Sequence, residues 1–410
     1  MSLCRFYPSP SDRMAIIWSL MPIKDAVVLE YGPAGTTHFG GGMYSSLGLE
    51  LGRSLFTTHI SEDDIIMGDV SRLENAIMEI DEAYHPKIIF VVAAAVIAVI
   101  GSDIAGVCQY MQERVNARLI SFEEGGFRGD YTYGLRAVYR MLSREVIKPA
   151  EKEEKTYNIL GASAGSYRIR SDVWEIQNLM QEAFGWKCGF TMGLESSVSD
   201  VENAGGAALN LVIRNEALEA AEILQGKCGT PYYYGAPYGY SGTLKWLQDI
   251  AEIIGEEVNP ALVARLKEKM ISMIPMGGGP MMMRRRTGQA SLQGGYDTLL
   301  GMKQALSEMD IETVNLVCSH SLKAIDGADE DVKFYAKEKE RMELFQSLDR
   351  QWCLGSDEMS RCLTDKTYFT LISAPFASKD QVADHLPFMG EKGMDYLREL
   401  RSEYFDKFDI

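Results

Sequence analysis

The fold of this chain is decided by one apolar stretch, residues 86–103, which reads PKIIFVVAAAVIAVIGSD. Its apolar run from Ile88 to Ile100 is shorter than the ~20 residues that a membrane-spanning helix needs. The run ends in Gly-Ser-Asp, which is typical of a turn followed by a helix N-cap. Strands that are buried on both faces of a parallel sheet show such continuous apolar runs. We therefore predict a buried parallel strand along this run, leading into a loop.

The segments on both sides of this run alternate between helix and strand patterns. Residues 70–80 and 103–114 place apolar side chains at helical spacing, which predicts amphipathic helices. Residues 26–30 (AVVLE) and 119–122 are short apolar runs typical of strands. Because strands that alternate with helices form parallel sheets with right-handed crossovers, this part of the chain predicts a doubly wound domain.

The rest of the chain continues the same alternation in two further units. A charged linker that contains a proline, KPAEKEEK at residues 148–155, separates the first unit from the second. In the third unit we predict a strand at 270–275 and a charged helix at 328–345. The whole chain is predicted to be an α/β protein with three Rossmann-like doubly wound domains, at residues 1–150, 151–259 and 260–410.

Composition and charge exclude several classes of protein. The 410 residues are 46% hydrophobic and 24% charged, which excludes wholesale disorder and collagen-like repeats. With 41 Lys and Arg against 58 Asp and Glu, the net charge of -17 repels phosphate backbones, so we expect no nucleic-acid partner. Seven scattered cysteines indicate reduced thiols, and charged residues interrupt the start of the chain where a secretory signal would lie. We therefore expect a cytoplasmic protein that is not bound to a membrane.

The first candidate site is the sequence GPAGTTHF, which follows the predicted strand at 26–30 and begins with Gly32 and Pro33. Glycines such as Gly32 and Gly35 at the carboxyl end of a strand let a ligand approach the backbone closely. The same residues also form a tight turn, and both interpretations stay open. His38 is either a ligand or proton donor, or a structural histidine.

Three glycines followed by three arginines form the second candidate site, here called the glycine–arginine loop. It consists of Gly277, Gly278, Gly279, Arg284, Arg285 and Arg286. Guanidinium groups beside a flexible backbone suit an anionic ligand, such as a carboxylate, a phosphate or an anionic cluster. The spacing differs from that of a P-loop because no Gly-Lys-Ser/Thr follows. A basic surface turn explains the residues equally well.

Two other motifs are weaker signals. Cys318 and His320 are spaced as in some metal sites, but no second ligand pair lies nearby in the sequence, so buried or unused thiols are the simpler interpretation. Ser163 lies in GASAG between a predicted strand and a helix, like the serine of a nucleophile elbow. Nothing in the sequence identifies a histidine and an acid in the order a hydrolase needs.

Several short segments occur along the chain in a fixed order. They are residues 22–35, 57–69, 86–104, 125–129, 158–161, 172–179, 209–212, 229–232 and 239–244. Their order resembles nitrogenase component 1 and its relatives, which include cofactor-assembly scaffold proteins and dark-operative tetrapyrrole reductases. The resemblance covers nearly the whole chain and rests on shared order, since each segment alone is a weak motif. It implies three Rossmann-like domains that meet around a central cavity.

The resemblance also implies metal ligands, and the chain departs from the family at their positions. The family bridges its subunits with an iron–sulfur cluster held by three cysteines per chain, and the corresponding positions here are Pro10, Thr36 and Ala95. Proline and alanine side chains cannot ligate iron, and a threonine hydroxyl is a poor ligand beside thiolates. Cys4 could replace the first cysteine only if the N-terminal segment shifts. Arg214 stands where the resemblance implies the cysteine that holds the catalytic cofactor.

These departures leave two hypotheses for the function. In the first, the chain is a nitrogenase-like redox subunit that pairs with a similar chain, shares an iron–sulfur cluster with it, and receives electrons from an ATP-dependent iron–sulfur reductase. It would then reduce a substrate or cofactor bound in the cavity. In the second, the chain is a non-redox scaffold or carrier for a metal-cluster precursor or a small anionic ligand. In both, the candidate cavity contacts are Arg214, His38 and the glycine–arginine loop.

Overall fold

The structure of the protein, a computed structural model, describes residues 9–49, 54–273, 286–373 and 386–409. Within these ranges the chain forms three larger parallel sheets, one in each of the three predicted units. The boundaries of the predicted domains themselves stay predictions.

The first unit carries a four-stranded sheet in the described part of the chain. Its elements are α1 (Asp12–Leu20), β1 (Ile23–Lys24), β2 (Ala26–Tyr31), α2 (Ala34–Ser46), β3 (Leu55–Thr57), α3 (Glu62–Met67), α4 (Ser71–Tyr84), β4 (Ile88–Ala93), α5 (Ala95–Ile100), α6 (Ile104–Met111), β5 (Arg118–Phe122) and α7 (Tyr131–Met141). The strand order is β3-β2-β4-β5, and every pair is parallel. A 3₁₀ turn (Gln112–Arg114) follows α6, and a π-helical turn (Leu142–Val146) follows α7.

The second unit again has four parallel strands among the described residues. Its elements are β6 (Glu153–Leu160), α8 (Ile169–Phe184), β7 (Lys187–Thr191), β8 (Ser196–Ser197), α9 (Val198–Asn203), β9 (Ala207–Val212), α10 (Leu218–Cys228), β10 (Tyr232–Tyr234) and α11 (Gly239–Ile254). The strand order is β10-β9-β6-β7. Strand β8 pairs instead with β1, with Ile23 opposite Ser196, so a short parallel ladder ties the first unit to the second.

The third unit has a five-stranded sheet over its described residues. Its elements are α12 (Pro260–Ser272), β11 (Gly288–Gly294), α13 (Tyr296–Glu308), β12 (Ile311–Cys318), β13 (Val332–Lys333), α14 (Glu338–Gln346), β14 (Trp352–Gly355), α15 (Asp357–Cys362), β15 (Tyr368–Leu371) and α16 (Gly390–Phe408). The strand order is β13-β12-β11-β14-β15, and all pairs are parallel.

Each sheet reverses its strand order at one point. The reversals lie between β2 and β4, between β6 and β9, and between β11 and β14. This is the doubly wound arrangement, so the predicted fold class is confirmed. Ligands of such sheets bind outside the carboxyl ends of the strands at the reversal point. The residues that follow these strands are therefore the ones expected to contact a ligand.

The core extends across all three units. Alternate residues of β2 face opposite sides of the first sheet: Val28 packs into a cluster shared with the second and third units, whereas Val27 and Leu29 pack against α4 and α6. Both faces of the first sheet are therefore covered, as expected for a parallel sheet between helices. None of the helices in the described ranges is both long and apolar enough to cross a membrane.

The apolar run at 88–100 differs from its prediction, because only its first half is a strand. The ladder with β2 ends at Ala93, and Ala94 then adopts an extended N-cap conformation from which α5 begins. Gly101 closes this helix with a left-handed backbone, φ 71°, the common C-terminal signal of an α-helix. The prediction of one strand over the whole run was wrong because apolar composition alone does not distinguish a buried strand from a buried helix.

Two predictions in the third unit were also wrong. Residues 270–272, predicted as the start of a strand, form the last turn of α12, while residues 274 and 275 lie outside the described ranges. The charged helix predicted at 328–345 begins only at Glu338, because Val332 and Lys333 pair with Leu316 and Val317 as β13. Tertiary pairing overrides local helical propensity in this segment.

Candidate functional site

A central cavity of about 60 Å³ lies where the three units meet, with room for a few water molecules. Its wall contains the residues that follow β6, β9 and β11, namely Gly161, Arg214 and Gly295. Pro10 contributes from the first unit and Phe388 from the segment before α16. The cavity therefore lies at the carboxyl ends of the second and third sheets, where doubly wound folds bind ligands.

Arg214 is the one arginine on this wall among the described residues. It follows β9 at the point where the second sheet reverses, and it packs closely against Gly161. A Cβ atom on Gly161 would lie 3.0 Å from the Cβ of Arg214 and 3.1 Å from its backbone nitrogen, and Gly161 has a φ of +92°. Glycine at this position is therefore needed for both the close approach and the backbone conformation.

The guanidinium of Arg214 has few partners in the described ranges. Nη1 donates one long hydrogen bond of 3.5 Å to the Tyr238 hydroxyl, and no carboxylate of the described residues lies within 4.0 Å. Burial lowers the pKa of Arg214, but Tyr238, Asp297 and Asp172 together outweigh burial and raise the pKa above its ordinary value. Arg214 is therefore a permanently charged, incompletely paired cation on the cavity wall.

Asp172, on α8, is a buried carboxyl group of the same wall. Its Oδ1 accepts hydrogen bonds from the backbone N–H groups of Phe388, at 2.7 Å, and Met389, at 3.1 Å. Burial raises the pKa of Asp172 to about 6, although these two hydrogen bonds and the positive charge of Arg214 oppose the rise. Asp172 therefore titrates close to neutral pH.

Glu216 is a second buried carboxyl group on the wall, two residues after Arg214. Burial and the nearby Asp297 raise the pKa of Glu216, while His320 and Arg136 oppose the rise. Asp297 itself is well satisfied, since its Oδ2 accepts from the backbone and side-chain nitrogens of Asn215, at 2.9 and 2.7 Å.

The histidine and cysteine of the weak metal motif have structural positions. The Nε2 atom of His320 accepts from the backbone N–H of Tyr296 at 3.2 Å, and Nδ1 lies 3.1 Å from the carbonyl oxygen of Ser321. One neutral tautomer satisfies both contacts and leaves no lone pair for a metal. Burial raises the pKa of Cys318 to about 12. In the described part of the chain no group of three His, Cys, Asp or Glu side chains is arranged to hold a metal ion.

Ser163 is also structural. Its Oγ accepts from the indole nitrogen of Trp18 at 3.0 Å and from the backbone N–H of Gly165 at 3.2 Å. The side chain is buried, and the contact ties α1 to the loop after β6. This geometry supports the sequence argument against a hydrolase.

The positions to which the resemblance assigns the family's cluster cysteines are described in the structure, and their side chains do not fit an iron–sulfur cluster. Pro10 is buried on the wall of the central cavity. Thr36 lies in the first turn of α2, and Ala95 is the first residue of α5. None of these side chains carries a thiolate, so the donor set lacks the chemistry that iron in such clusters needs.

The loops around these positions are closely packed. A Cβ atom on Gly32 would lie 2.2 Å from the Cβ of Ala94, so Gly32 is required by the approach of two loops. Just before it, Glu30 is fully buried and forms an ion pair with Arg13. Thr37 donates a 2.6 Å hydrogen bond to the other carboxylate oxygen of Glu30. Here the structure supports the turn interpretation of the glycines.

The structure does not bring all predicted cavity contacts together. His38 is exposed on α2 and is not part of the cavity wall. Arg286 lies against α16, with Nη1 at 3.9 Å from the Asp406 carboxylate and its guanidinium above the Phe405 ring. The remaining predicted positions, Cys4, Gly277, Gly278, Gly279, Arg284 and Arg285, lie outside the described residues.

Several residues of the wall were not foreseen from the sequence, among them Asp172, Glu216, Tyr238 and Asp297. Asp172 is held at the cavity by its hydrogen bond from Phe388, a residue that precedes α16 and lies 216 positions further along the chain. Of these residues, only Glu216 could have been suspected from the sequence, since it lies two positions after the candidate Arg214.

Three doubly wound sheets around one cavity define a class of protein, and sequence comparison identifies the family. The family described as "Nitrogenase component 1 type Oxidoreductase" matches residues 12–400. The chain belongs to the nitrogenase component 1 family.

Its relatives include proteins named for cofactor biosynthesis and for nitrogenase itself. The chain is 31% identical over 242 residues to nitrogenase iron-molybdenum cofactor biosynthesis protein NifE of Clostridium pasteurianum, covering 58% of this chain and 52% of that protein. It is 30% identical over 256 residues to the nitrogenase molybdenum-iron protein alpha chain of the same organism, covering 60% and 47%. Both matches span about half of the relative's length. With NifE of Nostoc sp. the match is 28% over 397 residues, covering 93% and 80%.

Solved structures share the fold. The structure titled "Nitrogenase Cp1 at pH 6.5" superposes with a TM-score of 0.79 at 16% identity, covering 100% of this chain and 95% of that chain. "Nitrogenase Cp1 at pH 5" gives a TM-score of 0.66 at 20% identity, covering 99% and 91%. At these identities the likeness shows the fold alone.

Proposed function

We propose that this chain is a non-redox carrier of the component 1 family that holds a small anionic ligand in its central cavity, with Arg214 as the anion-binding group. One observation carries the proposal. The Arg214 guanidinium lies on the cavity wall at the reversal point of the second sheet, with a single 3.5 Å hydrogen bond and no ion pair among the described residues. A buried charge that is incompletely paired is costly, and an anion in the cavity would complete its pairing.

The chemistry of an arginine supports a carrier rather than a metal centre. A guanidinium has five N–H donors and no lone pair, so it binds anions by charge and hydrogen bonds and cannot coordinate a metal. Because the cavity has a volume of about 60 Å³, its size favours a small anion over a metal-cluster precursor. The name of the NifE relatives, which refers to cofactor biosynthesis, also supports a carrier role.

The redox hypothesis stays as the second candidate. It is supported by the match with the nitrogenase molybdenum-iron protein alpha chain, and it needs a similar partner chain that supplies the cysteines and an ATP-dependent reductase. Exposed apolar side chains follow the carboxyl ends of three strands of the first sheet and suit contact with such a chain. They are Met67 in α3, Val99 in α5 and Phe127 after β5, with 79%, 70% and 68% exposure.

Iron analysis separates the two hypotheses. The protein is purified without oxygen, alone and as its natural complex, and iron and acid-labile sulfide are measured per chain. A carrier of a small anion contains no stoichiometric iron in either preparation. Iron and sulfide near cluster stoichiometry in the complex would support the redox subunit and contradict the carrier.

Sulfate binding tests the role of Arg214. We expect millimolar sulfate to raise the melting temperature of the wild type and of the control Arg118→Met, since Arg118 lies in an exposed ion pair with Glu145. Arg214→Met should lose the increase. Because the control reports any non-specific effect of sulfate on stability, an equal increase in all three proteins would contradict the proposal.

A further inference from the structure

We propose that anion binding in the central cavity is coupled to proton uptake by the cavity carboxyl groups, chiefly that of Asp172. The inference rests on the proposed function, because it concerns the anion held at Arg214. It adds the regulation of that site, in which the protein takes up its ligand more tightly as pH falls.

The geometry that carries the inference is a small cavity with charges of both signs that are not paired with each other. Arg214, Asp172 and Glu216 all line the same space of about 60 Å³. No ion pair within 4.0 Å joins Arg214 to either carboxylate in the described ranges. Asp297 lines this space as well, so an anion that reaches the guanidinium enters a cavity with three carboxylates. Like charges this close repel strongly in a buried site.

The surroundings of Asp172 allow it to accept the proton. Oδ1 is held by two backbone N–H donors, and no donor within the described ranges reaches Oδ2, which leaves this oxygen to carry a proton. The charged and titratable groups that face Asp172 are Arg168 at the start of α8, Arg214 after β9 and Tyr238 before α11. The backbone of Phe388 and Met389, before α16, faces it as well. Burial raises the pKa of Asp172 to about 6, which supports a protonation that is easily reached near neutral pH.

Glu216 is the second acceptor. Titratable and charged groups from four elements face the Glu216 carboxyl group. Helix α7 contributes Tyr131, Arg136 and Tyr139, and β10 contributes Tyr234. Asp297 faces it from α13, and Cys318 and His320 face it from the end of β12. Asp297 is a like charge, and burial adds to its effect in raising the pKa of Glu216.

In this coupling the protein takes up an anion and a proton together. When one anion binds at Arg214, one proton from the solvent moves to a carboxylate oxygen of the cavity, and it returns to the solvent when the anion leaves. By reciprocity, bound anion raises the proton affinity of Asp172, and protonated Asp172 raises the anion affinity.

Isothermal titration of the full-length protein with sulfate tests the coupling, because the charge of sulfate does not change between about pH 5 and 8. The Kd is measured across this range and in two buffers of different ionisation enthalpy. Above the Asp172 pKa of about 6 we expect the Kd to rise about tenfold per pH unit for each proton taken up, and to level off below it. The buffer dependence of the heat should report uptake of about one proton per sulfate.

Two isosteric variants and one control locate the proton. In Asp172→Asn the amide oxygen can still accept from Phe388 and Met389, and we expect most of the pH dependence to disappear. Glu216→Gln should remove the remainder. Asp331→Asn should behave like the wild type, since Asp331 is ion-paired to Lys303 at the surface and does not line the cavity. Proton uptake measured in two buffers on the wild type tests the coupling even if a variant fails to fold.

The outcomes separate this inference from the proposed function. Sulfate that binds in an Arg214-dependent manner, with a constant Kd and no proton uptake, would overturn the coupling and leave the carrier function intact. Sulfate that does not bind the wild type at any pH would overturn the carrier function itself.

Discussion

The buried ion pair between Arg13 and Glu30 allows a sharp test of how the first unit is held together. Glu30 is fully buried at the end of β2, one of its oxygens pairs with Arg13, and the other accepts from Thr37. The Arg13 side chain is only 10% exposed. Replacing Glu30 by Gln would leave the guanidinium as a buried charge without its partner.

The expected cost follows from this burial. Removing one partner of a buried pair destabilises proteins by about 3–5 kcal/mol, because the remaining charge is uncompensated. We expect Glu30→Gln to lower the free energy of unfolding by an amount near the lower end of this range, since Asp12 also lies beside Arg13. Urea unfolding followed by circular dichroism measures the change.

Two further variants make the result decisive. The double variant Arg13→Met with Glu30→Met should recover most of the loss, because buried pairs can be replaced by apolar side chains at little cost. Glu145→Gln, which breaks the exposed pair with Arg118, should cost at most about 1 kcal/mol. The reasoning would be refuted if Glu30→Gln cost no more than Glu145→Gln.

Three more predictions concern individual residues. The pKa of Asp172 rises from 3.8 to about 6 on folding, so its contribution is most favourable below about pH 4 and is lost as pH rises through 6. Relative to Asp172→Asn, the wild type should therefore lose up to about 3 kcal/mol of unfolding free energy between about pH 4 and 7, and equal pH profiles would contradict this. Lys227→Met should cost about 1–3 kcal/mol in urea unfolding, because the Lys227 ammonium donates to three carbonyl groups around the π-helical turn. Gly193→Ala should cost about 1–3 kcal/mol or more, since Gly193 has a φ of +93° and a Cβ there would lie 1.9 Å from the carbonyl oxygen of Ala162. The control Gly226→Ala, in open space within α10, should be neutral or stabilising in the same assay.

Much of the fold could be predicted from the sequence, because short apolar runs that alternate with amphipathic helical patterns are typical of a doubly wound protein. The strand at β4 and the helices α4 and α6 follow directly from such patterns. The failures have a common physical cause. Residues 95–100 are as apolar as the strand before them, and only the end of the ladder at Ala93 shows where the helix begins. The short strand β13 exists only because it pairs with β12.

The candidate site was only partly accessible from the sequence. Arg214 stands where the resemblance implies a cofactor ligand, so its place on the wall could be foreseen once the resemblance was considered. His38 and Arg286 were less predictable, since the exposure of His38 on α2 and the contact of Arg286 with α16 depend on tertiary packing. Asp172 was not foreseen at all, because its position depends on a contact between residues 216 positions apart.

The central claim is that Arg214 binds an anion in the cavity between the three units. The most direct measurement is anomalous diffraction from crystals soaked in selenate, which has the charge and shape of sulfate. We expect a selenium peak inside the cavity beside the Arg214 guanidinium, and no such peak in crystals of Arg214→Met. Selenate peaks at the protein surface with none in the wild-type cavity, or an unchanged cavity peak in Arg214→Met, would contradict the claim.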